Sequence, residues 1–212
     1  MEVNILLFDD FDTMDAFGPA EVFGSSPQHF HVNYLSVPGN IVNSMQGVKV
    51  WTEPLEPEEL QGIVVIPGGR GARRLLYQDA ESLRLLKKMA ERSEICMMIG
   101  SGSLLLMQTG SLFRRKIAEC KADENWKRMF AAGVSTVIDA SWVADGKYYS
   151  SSCTMTGIDM ALSIVADMVD LEVAERIAQK LGHAWDAEDD LHQHRTCLST
   201  SILICLDSTD FE

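Results

Sequence analysis

Three short apolar runs, Ile5 to Phe8, Ile63 to Ile66 and Ile95 to Ile99, are separated by segments with helical spacing. None of them alternates with polar residues, so each suits a strand covered on both faces. The β-α-β-α-β order they set up calls for a mostly parallel sheet between two layers of helices, a three-layer α/β sandwich. At 212 residues and 46% hydrophobic content, the chain can bury such a core as one domain.

Local signals punctuate the pattern. Asp12, with Asp15 three residues on, has the form of an N-cap followed by a first-turn carboxylate, and Asp79 opens a helix with Leu83, Leu86 and Met89 on one face. Trp142 to Tyr149 reads as a hairpin around Asp145-Gly146, a pair that supplies the positive φ angles of a two-residue turn. Thr156 and Asp159 start a helix carrying Ile158, Leu162 and Val165, and Asp170 starts another that ends at Gly182. The expected domain covers residues 1–183. Residues 184–212 read as a tail, charged from Trp185 to Asp190 and apolar again at Ile202 to Leu206, able to pack back on the domain or onto a partner.

Eighteen Lys and Arg against 31 Asp and Glu give a formal charge of −13, which opposes attraction to polyphosphate backbones and anionic membranes. Nucleic acid is therefore not expected as a direct partner. The chain starts straight into an apolar run without a basic stretch and cleavage site, and no run reaches membrane-spanning length, so a cytoplasmic location is expected. Five cysteines, Cys96, Cys120, Cys153, Cys197 and Cys205, are odd in number, widely spaced and without a Cys-x-x-Cys pair. They read as reduced thiols. His192-Gln193-His194 with Cys197 offers metal-ligand types, but an acidic tail with incidental histidines accounts for them more simply. No metal or cofactor is expected.

Three segments carry the candidate chemistry: Asp15-Ala16-Phe17-Gly18-Pro19, Pro67-Gly68-Gly69-Arg70-Gly71 after the third strand, and Ile99-Gly100-Ser101-Gly102-Ser103 at a strand-to-helix elbow. In a doubly wound sheet ligands bind beyond the carboxyl ends of the strands, where all three would lie. The Pro-Gly-Gly turn lets two backbone N–H groups approach a ligand without a Cβ in the way, and the elbow is a place where a helix N-terminus stabilises an anion. Neither Gly-x-Ser-x-Gly nor Gly-x-Gly-x-x-Gly fits there, which sets aside serine hydrolases and dinucleotide binding.

Leu7-Phe8-Asp9-Asp10-Phe11, Asp15 to Phe23, Pro67-Gly68-Gly69, Ile99 to Leu106 and Thr156 to Leu162 together resemble the ThiJ/PfpI superfamily, in its isocyanide-hydratase-like branch, over roughly the first 180 residues. The resemblance implies a flavodoxin-like or class I glutamine-amidotransferase-like fold, a homodimer, and a cysteine nucleophile at the elbow hydrogen-bonded by an acid from the first helix. Asp15 matches the acid, and Gly102 and Ser103 match the residues two and three beyond the nucleophile. The nucleophile's own position is Gly100. Arg115 to Cys120 matches a stretch that often ends in histidine, and Ser150 to Thr154 matches a Ser/Gly-rich turn beside the family's pocket, so Cys120 and Cys153 are the remaining thiols able to substitute.

The resemblance thus implies a catalytically impaired or atypical relative that binds a small molecule between Asp15, Gly68, Gly69, Gly100, Ser101 and Cys153, with the Gly69 and Ser101 N–H groups toward the ligand. Two alternatives stand beside it: an active hydratase, amidase or deglycase using Cys153 or Cys120, and a ligand sensor in transcription regulation acting through a separate partner. Ser101 lacks a nearby base for a nucleophile, Cys96 falls inside a buried strand, Glu21 reads as a solvated or dimer-facing charge, and Arg70 as an exposed cation.

Overall fold

The computed structural model describes residues 1–78, 80–120, 124–130 and 132–187. In chain order the elements are β1 (Glu2–Leu6), α1 (Thr13–Gly24), β2 (His31–Ser36), β3 (Asn40–Asn43), β4 (Lys49–Pro54), β5 (Ile63–Ile66), α2 (Gly71–Gln78), α3 (Ala80–Arg92), β6 (Ile95–Ile99) and α4 (Gly102–Met107). They continue with β7 (Lys116–Ala118), α5 (Glu124–Phe130), β8 (Ser135–Val137), β9 (Trp142–Asp145), β10 (Tyr148–Ser151), α6 (Thr154–Met168) and α7 (Leu171–Leu181).

The main sheet runs β3-β4-β2-β1-β5-β6-β10-β9. All its pairings are parallel except β3 with β4 and β9 with β10. β5 and β6 are buried along almost their whole length, as their unbroken apolar runs require. Helices α1 and α6 pack on each other with α7 against α6, while α2, α3 and α4 pack together, giving the expected α/β sandwich. β7 and β8 form a separate parallel pair.

The ladder of β1 ends at Leu6, although the apolar run continues through Leu7 and Phe8, both buried. β1 begins earlier than the apolar run Ile5 to Phe8 suggests, because Asn4, polar but buried and donating to the Gln61 carbonyl, interrupts the apolar pattern inside the strand. The Pro-Gly-Gly turn follows the fifth strand in chain order, since the polar β2, β3 and β4 intervene.

Asp12 caps α1 by accepting from the Met14 N–H, and Asp170 caps α7 by accepting from Glu172. Gly182, at φ 65°, closes α7. Helix α6 starts at Thr154 with Cys153 as its N-cap, two residues before the expected Thr156, which instead accepts from the Cys153 N–H with its hydroxyl. The expected helix start at Asp79 lies outside the described residues, as do His192, His194, Cys197 and the run Ile202 to Leu206. Leu86 and Met89 face the core along α3 as expected, whereas Leu83 is only half-buried and Leu85 packs against the core in its place.

In the hairpin, Tyr148 pairs with Asp145, so the two turn residues are Gly146 and Lys147, and only Gly146 takes a positive φ (63°). Asp145 remains in its strand, where its carboxylate accepts from Arg115 and from the Lys116 N–H. Among the described residues no helix is long and apolar enough to cross a membrane.

Candidate functional site: an elbow facing a buried carboxyl

Four parallel strands lie side by side in the order β1, β5, β6, β10, and the segments leaving their carboxyl ends meet at one place. From β1 comes the loop into α1 with Asp15, from β5 Gly68 and Gly69, from β6 Gly100 and Ser101, and from β10 Cys153 and Thr154. This crevice is where an open α/β sheet presents its ligand site.

Asp15 is only 5% exposed. Its Oδ2 accepts from the Gly68 N–H at 3.0 Å, and its Oδ1 accepts from the Thr154 hydroxyl at 2.5 Å. The carboxyl thus ties three strand ends together, while the capping of α1 falls to Asp12. Burial pushes its pKa above the ordinary value, the Thr154 hydroxyl pulls it back, the charge of Asp12 adds to the rise, and the Gly68 N–H opposes it; the rise prevails.

The two glycines after β5 are required by close approach. A Cβ on Gly68 would stand 2.7 Å from Asp15 Oδ2 and 2.8 Å from Ser101 Oγ. A Cβ on Gly69, at φ 136°, would stand 2.4 Å from the Asp10 carbonyl oxygen. The Gly69 N–H donates to Ser101 Oγ at 3.0 Å, so its proton is already engaged within the chain. The Ser101 N–H has no acceptor among the described residues, which makes it the donor of this cluster left for a ligand.

Gly100 holds the elbow at φ 52°. Its N–H donates to the Ser151 carbonyl at 3.1 Å, and its carbonyl accepts from the Ser103 hydroxyl at 2.9 Å, so the bend is pinned from both sides. A Cβ built on Gly100 meets a single atom within 4 Å, Asp15 Oδ2 at 3.6 Å. That is ordinary van der Waals contact, and one further bond would bring a side-chain atom into hydrogen-bonding reach of the carboxyl.

The three described thiols divide clearly. Cys96 is fully buried in β6, and burial pushes its pKa up to about 12. Cys120 is 3% exposed with a pKa raised by burial, and its Sγ stands 3.8 Å from the Ser103 hydroxyl, one residue removed from the elbow carbonyl. Cys153 is exposed at the N-cap of α6. Partial burial pushes its thiol up, but hydrogen bonds from the Thr156 N–H and hydroxyl, the Met155 N–H and the Ser152 hydroxyl together outweigh it and hold the pKa below the ordinary value.

A family model described as the DJ-1/PfpI family matches residues 1–167. The chain belongs to the DJ-1/PfpI family. It is 25% identical over 190 residues to the isonitrile hydratase of Pseudomonas putida, an overlap of 87% of this chain and 79% of that enzyme. Among solved structures it is similar to a DJ-1 superfamily protein from Salmonella typhimurium, with a TM-score of 0.74, 21% identity, and 87% and 99% of the two chains covered. A THiJ/PfpI family protein from Pseudomonas syringae gives a TM-score of 0.73 at 23% identity over 87% and 76%. An AraC family transcriptional regulator from Pseudomonas putida gives 0.70 at 18% identity over 85% and 98%. At such identities the structural likenesses establish the DJ-1/PfpI fold.

Within this DJ-1/PfpI domain, Asp15, Gly68, Gly69, Gly100 and Ser101 come together as one cluster, and Cys153 adjoins it through Thr154. Cys120 stands behind the elbow, on the buried side. Arg70 and Glu21 are exposed. Thr154 ends the stretch Ser150 to Thr154 that the resemblance sets beside the pocket, and its hydroxyl bond to Asp15 is a contribution that no sequence signal announces.

Proposed function

We propose that this DJ-1/PfpI-family protein binds a small neutral molecule at the elbow without turning it over, because the position of the attacking thiol is Gly100. The observation that carries this reading is the open position above Gly100, bounded by Asp15 Oδ2. The Ser101 N–H offers a donor there, and the buried carboxyl, its pKa raised chiefly by burial, disfavours a second negative charge beside it. A backbone donor beside a buried carboxyl suits an electron-rich atom of an uncharged ligand, such as the terminal carbon of an isonitrile or a carbonyl oxygen.

Hydration of an isonitrile adds water across its terminal carbon and nitrogen to give an N-substituted formamide. Here no thiol stands at Gly100 to form the carbon–sulfur bond that would start a covalent route. The test is a calorimetric titration with cyclohexyl isocyanide, with formamide followed in the same solution. Saturable heat without formamide, weakened in Asp15→Ala, is the expected result; formamide formation by the unaltered chain counts against it.

A second reading rests on Cys153, exposed, lowered in pKa and next to Thr154. In it the chain is an active cysteine-dependent enzyme, and formamide formation disappears in Cys153→Ser. Cys120 supports this reading less well, since burial holds its thiol in the protonated form. Homodimerisation, a cytoplasmic location and a sensor role exerted through a separate protein belong to the same proposal; light scattering of the purified chain tests the first of these.

A further inference from the structure

A cavity of about 260 Å³ lies behind the elbow, between α4, the β7-β8 pair and α5. Its floor is apolar and buried: Leu104 and Met107 from α4, Ile117 and Ala118 from β7, with the Cys120 thiol beside them. Its rim is charged, with the exposed Arg128 and Glu119 and the half-buried Lys127, the last two residues 3.8 Å apart, and Ile138 is 69% exposed at the same edge. The floor suits a hydrocarbon chain, and Arg128 supplies a cation at its exposed edge. An apolar cavity of about 150 Å³ takes one benzene, so this one has room for roughly ten heavy atoms.

We propose that this cavity is a binding site for a medium-chain carboxylate, its tail on the apolar floor and its head group on Arg128 at the rim. A carboxylate there takes charge-assisted hydrogen bonds at the rim while the tail leaves water. The site is separate from the mouth of the elbow and does not depend on what binds above Gly100. It reaches the elbow only from behind, through Cys120, Ser103 and the Gly100 carbonyl.

The probe is sodium octanoate, which has ten heavy atoms, titrated into the full-length chain by calorimetry beside octan-1-ol and sodium butyrate. Octanoate is expected to bind saturably and to slow N-ethylmaleimide labelling of Cys120, leaving labelling of Cys153 unchanged. Octan-1-ol, without the charge, should bind about tenfold more weakly, the loss of one charged hydrogen bond, and butyrate, four methylenes shorter, roughly a hundredfold more weakly. Arg128→Glu is an exposed substitution that leaves the fold intact and is expected to weaken octanoate by about tenfold. Octanol binding as tightly as octanoate, affinity unchanged in Arg128→Glu, or the absence of octanoate binding would each overturn the proposal.

Discussion

Replacing Asp15 separates a carboxyl held between two donors from one that merely opens a helix. In Asp15→Ala the buried Gly68 N–H loses its acceptor, which costs about 1–3 kcal/mol. The Thr154 hydroxyl, half-buried, can turn to water, and relief of burying the carboxyl offsets part of the loss. A net cost of about 2 kcal/mol should lower Tm by roughly 4–8 °C in a domain of this size. In Asp15→Asn the amide oxygen can accept from Gly68 while the amide NH2 donates to Thr154 Oγ1, so at pH 7 the loss should stay under about 1 kcal/mol.

The pH dependence has a definite sign. The folded-state pKa of Asp15 is raised above its ordinary 3.8, so folding favours the protonated form. Its contribution is fully present below 3.8 and is lost as pH rises through the raised value. Asn does not titrate, so the Tm of the wild type relative to Asp15→Asn should rise as pH is lowered from neutrality towards 4. Thermal unfolding of the three proteins at several pH values is the assay. Equal losses in Asn and Ala, or a gap between wild type and Asn that widens as pH rises, would refute the reasoning.

Gly68→Ala should destabilise by about 1–3 kcal/mol through overpacking against Asp15 Oδ2 and Ser101 Oγ, whereas Gly24→Ala, with nothing within 4 Å of its added Cβ, should leave Tm unchanged or higher; differential scanning fluorimetry of the pair checks both. In a time course with iodoacetamide followed by peptide mass spectrometry, Cys153 should label before Cys120 and Cys96, since it alone of the three is exposed and lowered in pKa. Labelling of Cys120 first would contradict the burial assigned to it.

The parts of the fold that could be read in the sequence are those where one physical cause acts alone. β5 and β6 coincide with Ile63 to Ile66 and Ile95 to Ile99 because both are covered on both faces. β3 and β4 went unread: Ile41 and Trp51 pair across an exposed face, so that ladder is held by backbone bonds without a clear apolar pattern. The hairpin's existence followed from Gly146, but its register did not, since Asp145 has partners in Arg115 and Lys116 that lie 30 and 29 residues away. At the site, the elbow and the glycine pair were legible as local motifs. Asp15 stood out through the family resemblance, but the donors that hold it did not, because they come from Gly68, 53 residues on, and Thr154, 139 residues on, and no local spacing records them.

The most direct test is formamide production from an isonitrile by the unaltered chain beside Gly100→Cys. The substitution asks a side chain to hold φ 52°, at about 1–2 kcal/mol, but its Cβ meets only ordinary contact, so the variant should fold. The account predicts no product from the natural chain and a thiol-dependent appearance of product once sulfur faces Asp15. Product from the natural chain, at a rate that Gly100→Cys leaves unchanged, would contradict it.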